Sequence, residues 1–261
     1  MMELDGVPPT AGELAALAFA NYGHFTSMRV DGAGVRGLAL HLARLVRDCR
    51  TVFDADLDPG HVRQLVRRVA ASSPVLVRVT VFAPDLDLGR PGTRYAPRVL
   101  VTTRPAPTGA PAPLHLRSAV YRRDLPAVKH TGLFATVHHR RAAQRAGADD
   151  VLFVDHGSRV LEGATWNIGF VIDGMVVWPE ADCLPGVTAD LLARALRGIG
   201  VPSTTAPVRL ADLARVTAAF ATNSSVGVRS VESIDGTTFT GDEALVTRLQ
   251  DAYRAIEPEA V

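Results

Sequence analysis

Lysine occurs once in this chain of 261 residues, at Lys129 in the stretch "LPAVKHTGLF", whereas arginine occurs 27 times. Arginine supplies positive charge and hydrogen-bond donors at least as well as lysine does. It does not supply a primary amine that deprotonates and attacks a carbonyl. Lys129 is either a chance survivor of an arginine-biased composition or a nucleophilic amine. It follows a proline-containing extended segment and precedes a glycine and a helix, the kind of junction that presents reactive side chains. An apolar site or a nearby cation lowers an amine's pKa from its value of about 10.4 in water.

Four further pieces carry polar chemistry. In "VLEGATWNIGF", Glu162 is flanked by Gly163, with Asn167 five positions on. Glu162 is either a surface-turn glutamate or a carboxylate aimed into a cleft. In "LPGVTADLL" a glycine precedes a helix whose start carries Thr188. The free backbone N–H groups there suit a phosphate, unless Thr188 caps its own helix. In "ATNSSVGVRS", Ser224 and Ser225 follow an apolar strand and form either an anion-capturing strand end or an ordinary turn. Arg44, in "HLARL", is a fixed cation or part of a solvated helix face. Three histidines invite a metal reading, His138, His139 and His156. The first two are adjacent on an expected helix and point to different faces, so no metal is assigned.

Alternating helices and strands must position these residues. "TAGELAALAFANYG" opens with Thr10 and Glu13 at capping-box spacing. "HFTSMRV" alternates like a strand and "DGAGVRG" reads as a turn. "LALHLARLVRDCRTVF" places Leu42, Leu45, Val46 and Cys49 on one helical face. A second helix starts at the cap Asp58 with Pro59, its body being "HVRQLVRRVAAS". "PVLVRVTVFA" and "PRVLVTTRPA" are β-branched runs expected to be neighbouring strands. The pattern to about residue 118 is α+β. We expect a small N-terminal domain at 1–118, a connection at 119–128, and a larger domain at 129–261 carrying Lys129. In that second half "LFATVHHRRAAQRAG" is expected to be a helix and "DVLFVD" a strand. "VLEGATWNIGFVI" and "MVVWPE" flank a turn, and "GDEALVTRLQDAYRAI" is a closing helix.

Net charge of +1 gives no electrostatic case for nucleic acid or an anionic membrane. A hydrophobic fraction of 47% with 21% charged residues is that of a globular protein. The two cysteines, Cys49 and Cys183, lack metal-type spacing and point to a reduced compartment. No secretory pattern opens the chain and no run has membrane-spanning length, so the expectation is a cytoplasmic enzyme.

Taken in order, "HLARL", "VKHTG", "LEGATWNI", "LPGVT" and "TNSS" resemble the class IV, or fold-type IV, pyridoxal-phosphate enzymes. These include branched-chain aminotransferases, D-amino-acid aminotransferases and aminodeoxychorismate lyase. The resemblance runs from about residue 22 to residue 235. Its specific part is the spacing of 33 from Lys129 to Glu162, followed by "LPGVT". It implies a two-domain α/β (α+β) fold of the D-amino-acid aminotransferase type, with pyridoxal 5'-phosphate between the domains, and a homodimer. It further implies that Lys129 is the Schiff-base lysine and that Glu162 faces the pyridine nitrogen. Arg44, the backbone at Val187 and Thr188, and Ser224 with Ser225 would hold the phosphate. A protonated ring nitrogen makes such a cofactor an electron sink, and an adjacent carboxylate keeps it protonated.

Within the family the motifs divide. "HFTSMRV" and "VKH" look like the lyase, with Ser27 in the place of its assisting threonine, unless Ser27 is only a strand residue. "LPGVT" and "LEGATWN" are closer to the aminotransferases. Phe134 stands where branched-chain enzymes typically have a tyrosine, and Val81-Phe82 stand where an Arg-Gly pair often follows the central strand. Arg78 lies where branched-chain enzymes often have an arginine, and it either meets a substrate carboxylate or faces outward. Phe134 and Trp166 either line the substrate pocket or are core. The resulting expectation is a transaminase acting on an amino acid and a 2-oxo acid. The alternatives are a lyase releasing pyruvate and 4-aminobenzoate, and a catalytically silent small-molecule binder.

Overall fold

The computed structural model describes residues 1–32, 34–70, 74–239 and 241–261. Ala33 in the expected turn, and Ala71 and Ser72 at the end of the second helix, lie outside the described residues. The chain divides into two compact units. One is Met1–Pro107 with Val128–Leu133 and Pro258–Val261, and the other is Thr108–Ala127 with Phe134–Glu257. These bounds differ from the expected 1–118, 119–128 and 129–261. Lys129 packs with the first unit, because its segment hydrogen-bonds to a strand of that unit rather than continuing into the helix after it.

The first unit is built on an antiparallel sheet. Its strands are β1 (Met2–Leu4), β2 (His24–Asp31), β3 (Gly34–Val35), β4 (Val75–Phe82) and β5 (Arg98–Pro105). The order is β1-β5-β4-β2-β3, closed at one edge by the short strand Glu259–Ala260. The two β-branched runs pair over eight residues, from Val75 opposite Pro105 to Phe82 opposite Arg98. Alternation sends Met28, Val30, Val77, Val79, Val81, Val99 and Val101 to one face. There they meet α2 (Leu38–Phe53) and α3 (Pro59–Val69), which bury Leu38, Leu42, Leu45, Val62 and Val66 in the same core. Asp58 accepts from the Gly60 N–H at 2.8 Å and caps α3, with Pro59 at its first position. α1 (Ala11–Ala20) starts with the Thr10–Glu13 capping box, and its Leu14 and Leu17 pack on Leu4, Phe82 and Leu100. α2 has no cap of its own at Gly37, and Glu259 Oε2 accepts from the Ala39 N–H at 3.0 Å instead.

Among the described residues the second unit carries nine strands: β6 (Leu114–Val120), β7 (Asp150–Val154), β8 (Val160–Gly163), β9 (Asn167–Ile172), β10 (Met175–Pro179), β11 (Ser203–Ala206), β12 (Val216–Asn223), β13 (Gly227–Ile234) and β14 (Thr237–Thr238). The order is β11-β10-β9-β12-β13-β6-β7-β8, with β14 beside β13. β6 lies mostly at the end of the expected first domain, with only its last two residues in the expected connection, and runs parallel to β7. The helices are α4 (Phe134–Arg145), α5 (Val187–Gly198) and α6 (Glu243–Arg254). Leu192 and Leu196 of α5 pack with Leu245, Val246 and Leu249 of α6 over Val171 and Phe220 of the sheet. Among the described residues no helix is long and apolar enough to cross a membrane.

Candidate functional site

Lys129 is held by its backbone on both sides. Its carbonyl accepts from the Phe25 N–H at 2.8 Å, and the Thr131 N–H donates to the Gly23 carbonyl at 2.9 Å, so residues 129–131 run as a short antiparallel extension of β2. Gly23 lets the chains pass, since a Cβ there would sit 2.6 Å from the Val81 carbonyl oxygen. The Lys129 N–H donates to Asp48 Oδ2 at 3.0 Å. The Lys129 Nζ stands 5.0 Å from the Phe25 ring centroid, and the Arg78 guanidinium lies over the same ring at 3.6 Å. Arg78 pairs across the sheet with Ser27, donates to Thr80 Oγ1 at 3.2 Å, and is partly buried rather than simply outward-facing. Burial, with Arg104 nearby, pulls its pKa below the usual arginine value.

Arg44 is only 6% exposed and so is not part of a solvated helix face. Its Nη2 donates to Thr26 Oγ1 at 2.6 Å, and Thr26 Oγ1 lies 2.7 Å from His41 Nδ1. With Arg44 donating to that hydroxyl oxygen, the hydroxyl proton is directed at His41 Nδ1, and a neutral His41 carries its own proton on Nε2. Burial first, then the charges of Arg44 and Lys129, hold His41 far below the ordinary histidine pKa.

In the second unit Glu162 is the penultimate residue of β8 at 5% exposure, which excludes a surface-turn glutamate. Its Oε2 accepts from the Leu184 N–H at 3.3 Å. The Leu184 carbonyl accepts from Asn167 Nδ2 at 2.8 Å, so one loop residue ties Glu162 to Asn167. Gly186 seats that asparagine, because a Cβ there would lie 1.9 Å from Asn167 Oδ1. Gly186 is also the N-cap of α5 and brings no side-chain cap. Thr188 does not cap the helix; its hydroxyl donates instead to Ser224 Oγ at 3.5 Å. The first-turn residues Val187 and Thr188 are buried. The Ser225 N–H is committed to Asn223 Oδ1 at 2.9 Å, as is the Val226 N–H at 3.1 Å. That turn therefore presents hydroxyls rather than a run of amides.

Two aromatic expectations resolve differently. Trp166 is core, its Nε1 donating to Asp150 Oδ2 at 2.9 Å. Phe134 is neither core nor enclosed, being 84% exposed and stacked on His138 one turn along α4. Both thiols are pushed up to about 11, mainly by burial, with Asp56 adding at Cys49 and Glu162 at Cys183. They stay protonated near neutrality and are poor nucleophiles.

Thr26, His41 and Asp48 escaped the sequence reading. Their signal was polarity inside a buried stripe: His41 and Asp48 fall on the same α2 face as Leu38, Leu42, Leu45 and Cys49. A buried polar side chain must find partners, and these find Arg44 and the backbone of Lys129.

Residues 23–234 match the amino-transferase class IV family. The "Probable branched-chain-amino-acid aminotransferase" of Rickettsia bellii is 25% identical over 61% of this chain and 58% of its own length. The protein of the same name from Rickettsia conorii is 27% identical over 46% of this chain and 43% of its own. The chain thus matches less than two thirds of the length of either relative. Among solved structures, "A hypothetical aminotransferase from Mycobacterium tuberculosis, PLP-bound form" superposes with a TM-score of 0.81 at 21% identity, covering 97% of this chain and 98% of that one. The branched-chain amino acid aminotransferase of Escherichia coli superposes with a TM-score of 0.85 at 19% identity, covering 97% and 92%. At these identities the superpositions establish the shared fold.

Proposed function

This chain belongs to the amino-transferase class IV family, and from that premise we propose that it is a pyridoxal-phosphate-dependent aminotransferase moving an amino group between an amino acid and a 2-oxo acid. The observation that carries the reading is the single side-chain amine of the sequence, fixed by its backbone carbonyl and N–H in the first unit.

The residues present suit a phosphorylated pyridine aldehyde. The α5 N-terminus offers first-turn amides without a side-chain cap, beside the Thr188 and Ser224 hydroxyls, which is a donor set for phosphate oxygens. Arg44 adds a buried cation, and charge-assisted bonds to a phosphate are worth on the order of 1.5–3 kcal/mol each. Glu162 is a buried carboxylate of the kind that holds a proton on a ring nitrogen. When bound, the cofactor supplies an electron sink for the bond broken at the substrate α-carbon. Lys129 Nζ would hold its aldehyde group, and the same amine would serve as acid and base for the substrate α-proton. Glu162 would keep its ring nitrogen protonated. Arg44, Thr188 and Ser224 would hold the phosphate, and Arg78 would meet a substrate carboxylate.

The lyase remains the second reading. Ser27 supports it, since it pairs with Arg78 and shares with it the sheet face that also carries Phe25. Half-reaction spectra with a panel of L- and D-amino acids, followed by 2-oxoglutarate or pyruvate, test the choice. A transaminase converts the aldehyde form to the amine form and back. If no amino acid does so, while aminodeoxychorismate yields pyruvate and 4-aminobenzoate, the transaminase reading fails.

A further inference from the structure

We propose that Asp48 is the positioning residue for Lys129, a role that rests on the function proposed above. Asp48 is fully buried, yet it lies on the apolar stripe of α2, where a carboxylate is costly unless both oxygens are used. Both are used. Oδ1 accepts from Arg47 Nε at 3.1 Å and Nη2 at 2.8 Å, and Oδ2 accepts from the Lys129 N–H at 3.0 Å. Arg47 belongs to the same helix and is about half exposed, so the ion pair alone needs no burial of the acid. The second oxygen, Oδ2, is the one that reaches Lys129. Together with the Phe25 N–H on the lysine carbonyl, this bond fixes the backbone on both sides of one residue. The side chain then has only its own torsions with which to place Nζ above Phe25. Asp48 also follows Arg44 by one helical turn, so a single helix sets both the buried cation and the lysine backbone.

The single lysine makes the test direct. Protein grown with nitrogen-15 lysine gives one backbone amide signal, that of Lys129. In the cofactor-free wild type this amide should exchange slowly. In Asp48→Ala, and in Asp48→Leu, which keeps the volume if alanine compromises folding, it should exchange at least about tenfold faster. Pyridoxal phosphate is then added. The Lys129 amine condenses with its aldehyde, water leaves, and borohydride delivers two electrons to give a stable secondary amine whose rate of appearance mass spectrometry follows. Both variants should form it at least about tenfold more slowly, and Asp48→Asn, which keeps an acceptor oxygen, should recover to within about threefold. An unchanged amide signal in the variants overturns the hydrogen bond. A changed signal with an unchanged rate of condensation makes Asp48 a structural cap only and overturns the positioning role. A wild type that never condenses overturns the parent reading itself, while the amide signal still reports whether Asp48 holds the lysine.

Discussion

Glu162 and Arg44 differ in how a substitution should register, because each is read by a different observable. Glu162→Gln keeps the side-chain volume and an oxygen for the Leu184 N–H, but an amide does not hold a ring nitrogen protonated. We expect cofactor retention within about threefold of wild type and turnover lower by about 10²–10⁴-fold, read by dialysis against buffer and by steady-state rates. Unchanged turnover would move the ring-nitrogen role to another carboxylate. Arg44→Ala should instead weaken cofactor retention by about 10–100-fold, measured by titrating pyridoxal phosphate into the cofactor-free protein. Equal affinity would remove Arg44 from the phosphate site. Lys129, Glu162 and Arg44 were legible as candidates because residue type, spacing and order all pointed to one family resemblance. Thr26, His41 and Asp48 were not, since a polar residue on an apolar stripe looks like an interruption until its partner from another element is known.

The start of α5 is an element-level device: a glycine cap, two buried first-turn residues, and an asparagine from β9 pressed against the cap. Gly186→Ala puts a methyl where Asn167 Oδ1 lies and must displace the asparagine that holds the Leu184 carbonyl. The expected cost is about 1–3 kcal/mol of stability together with weaker cofactor binding, read from urea midpoints with and without pyridoxal phosphate. A variant that binds and unfolds like wild type would make the close contact unimportant. The sequence marks this helix with Thr188 as a cap candidate, and the structure makes Gly186 the cap. Long β-branched strands such as β4 and β5 were also recognised. β6 and β13 were missed because charged and hydroxyl residues such as His115, Arg117, Arg229 and Glu232 interrupt them, and their pairing partners lie far away in sequence.

Across the molecule, buried histidines should set the acid limb of stability. His24 is fully buried beside Phe53, and burial drives its pKa down to about 3 from 6.5. Between those values the unfolded chain binds a proton that the folded chain refuses. The contribution is therefore present above about pH 6.5 and is lost as pH falls towards 3. The loss is about 1.4 kcal/mol per pH unit, with His41 adding in the same direction. Urea unfolding at pH 5 and pH 7.5 should show it, and His24→Leu should flatten the difference by roughly one proton's worth. An equal pH slope in the variant would mean that His24 is not held neutral. The division into units was only partly legible. Residues 128–133 and 258–261 return to the first unit through pairing with strands near the other end of the sequence, and no local pattern announces such a return. The last of these returns has a practical side. Glu259 closes the open end of the helix that bears Arg44 and Asp48, so trimming residues 258–261, or fusing bulky cargo against them, would fray that helix and be mistaken for damage at the lysine more than a hundred residues away.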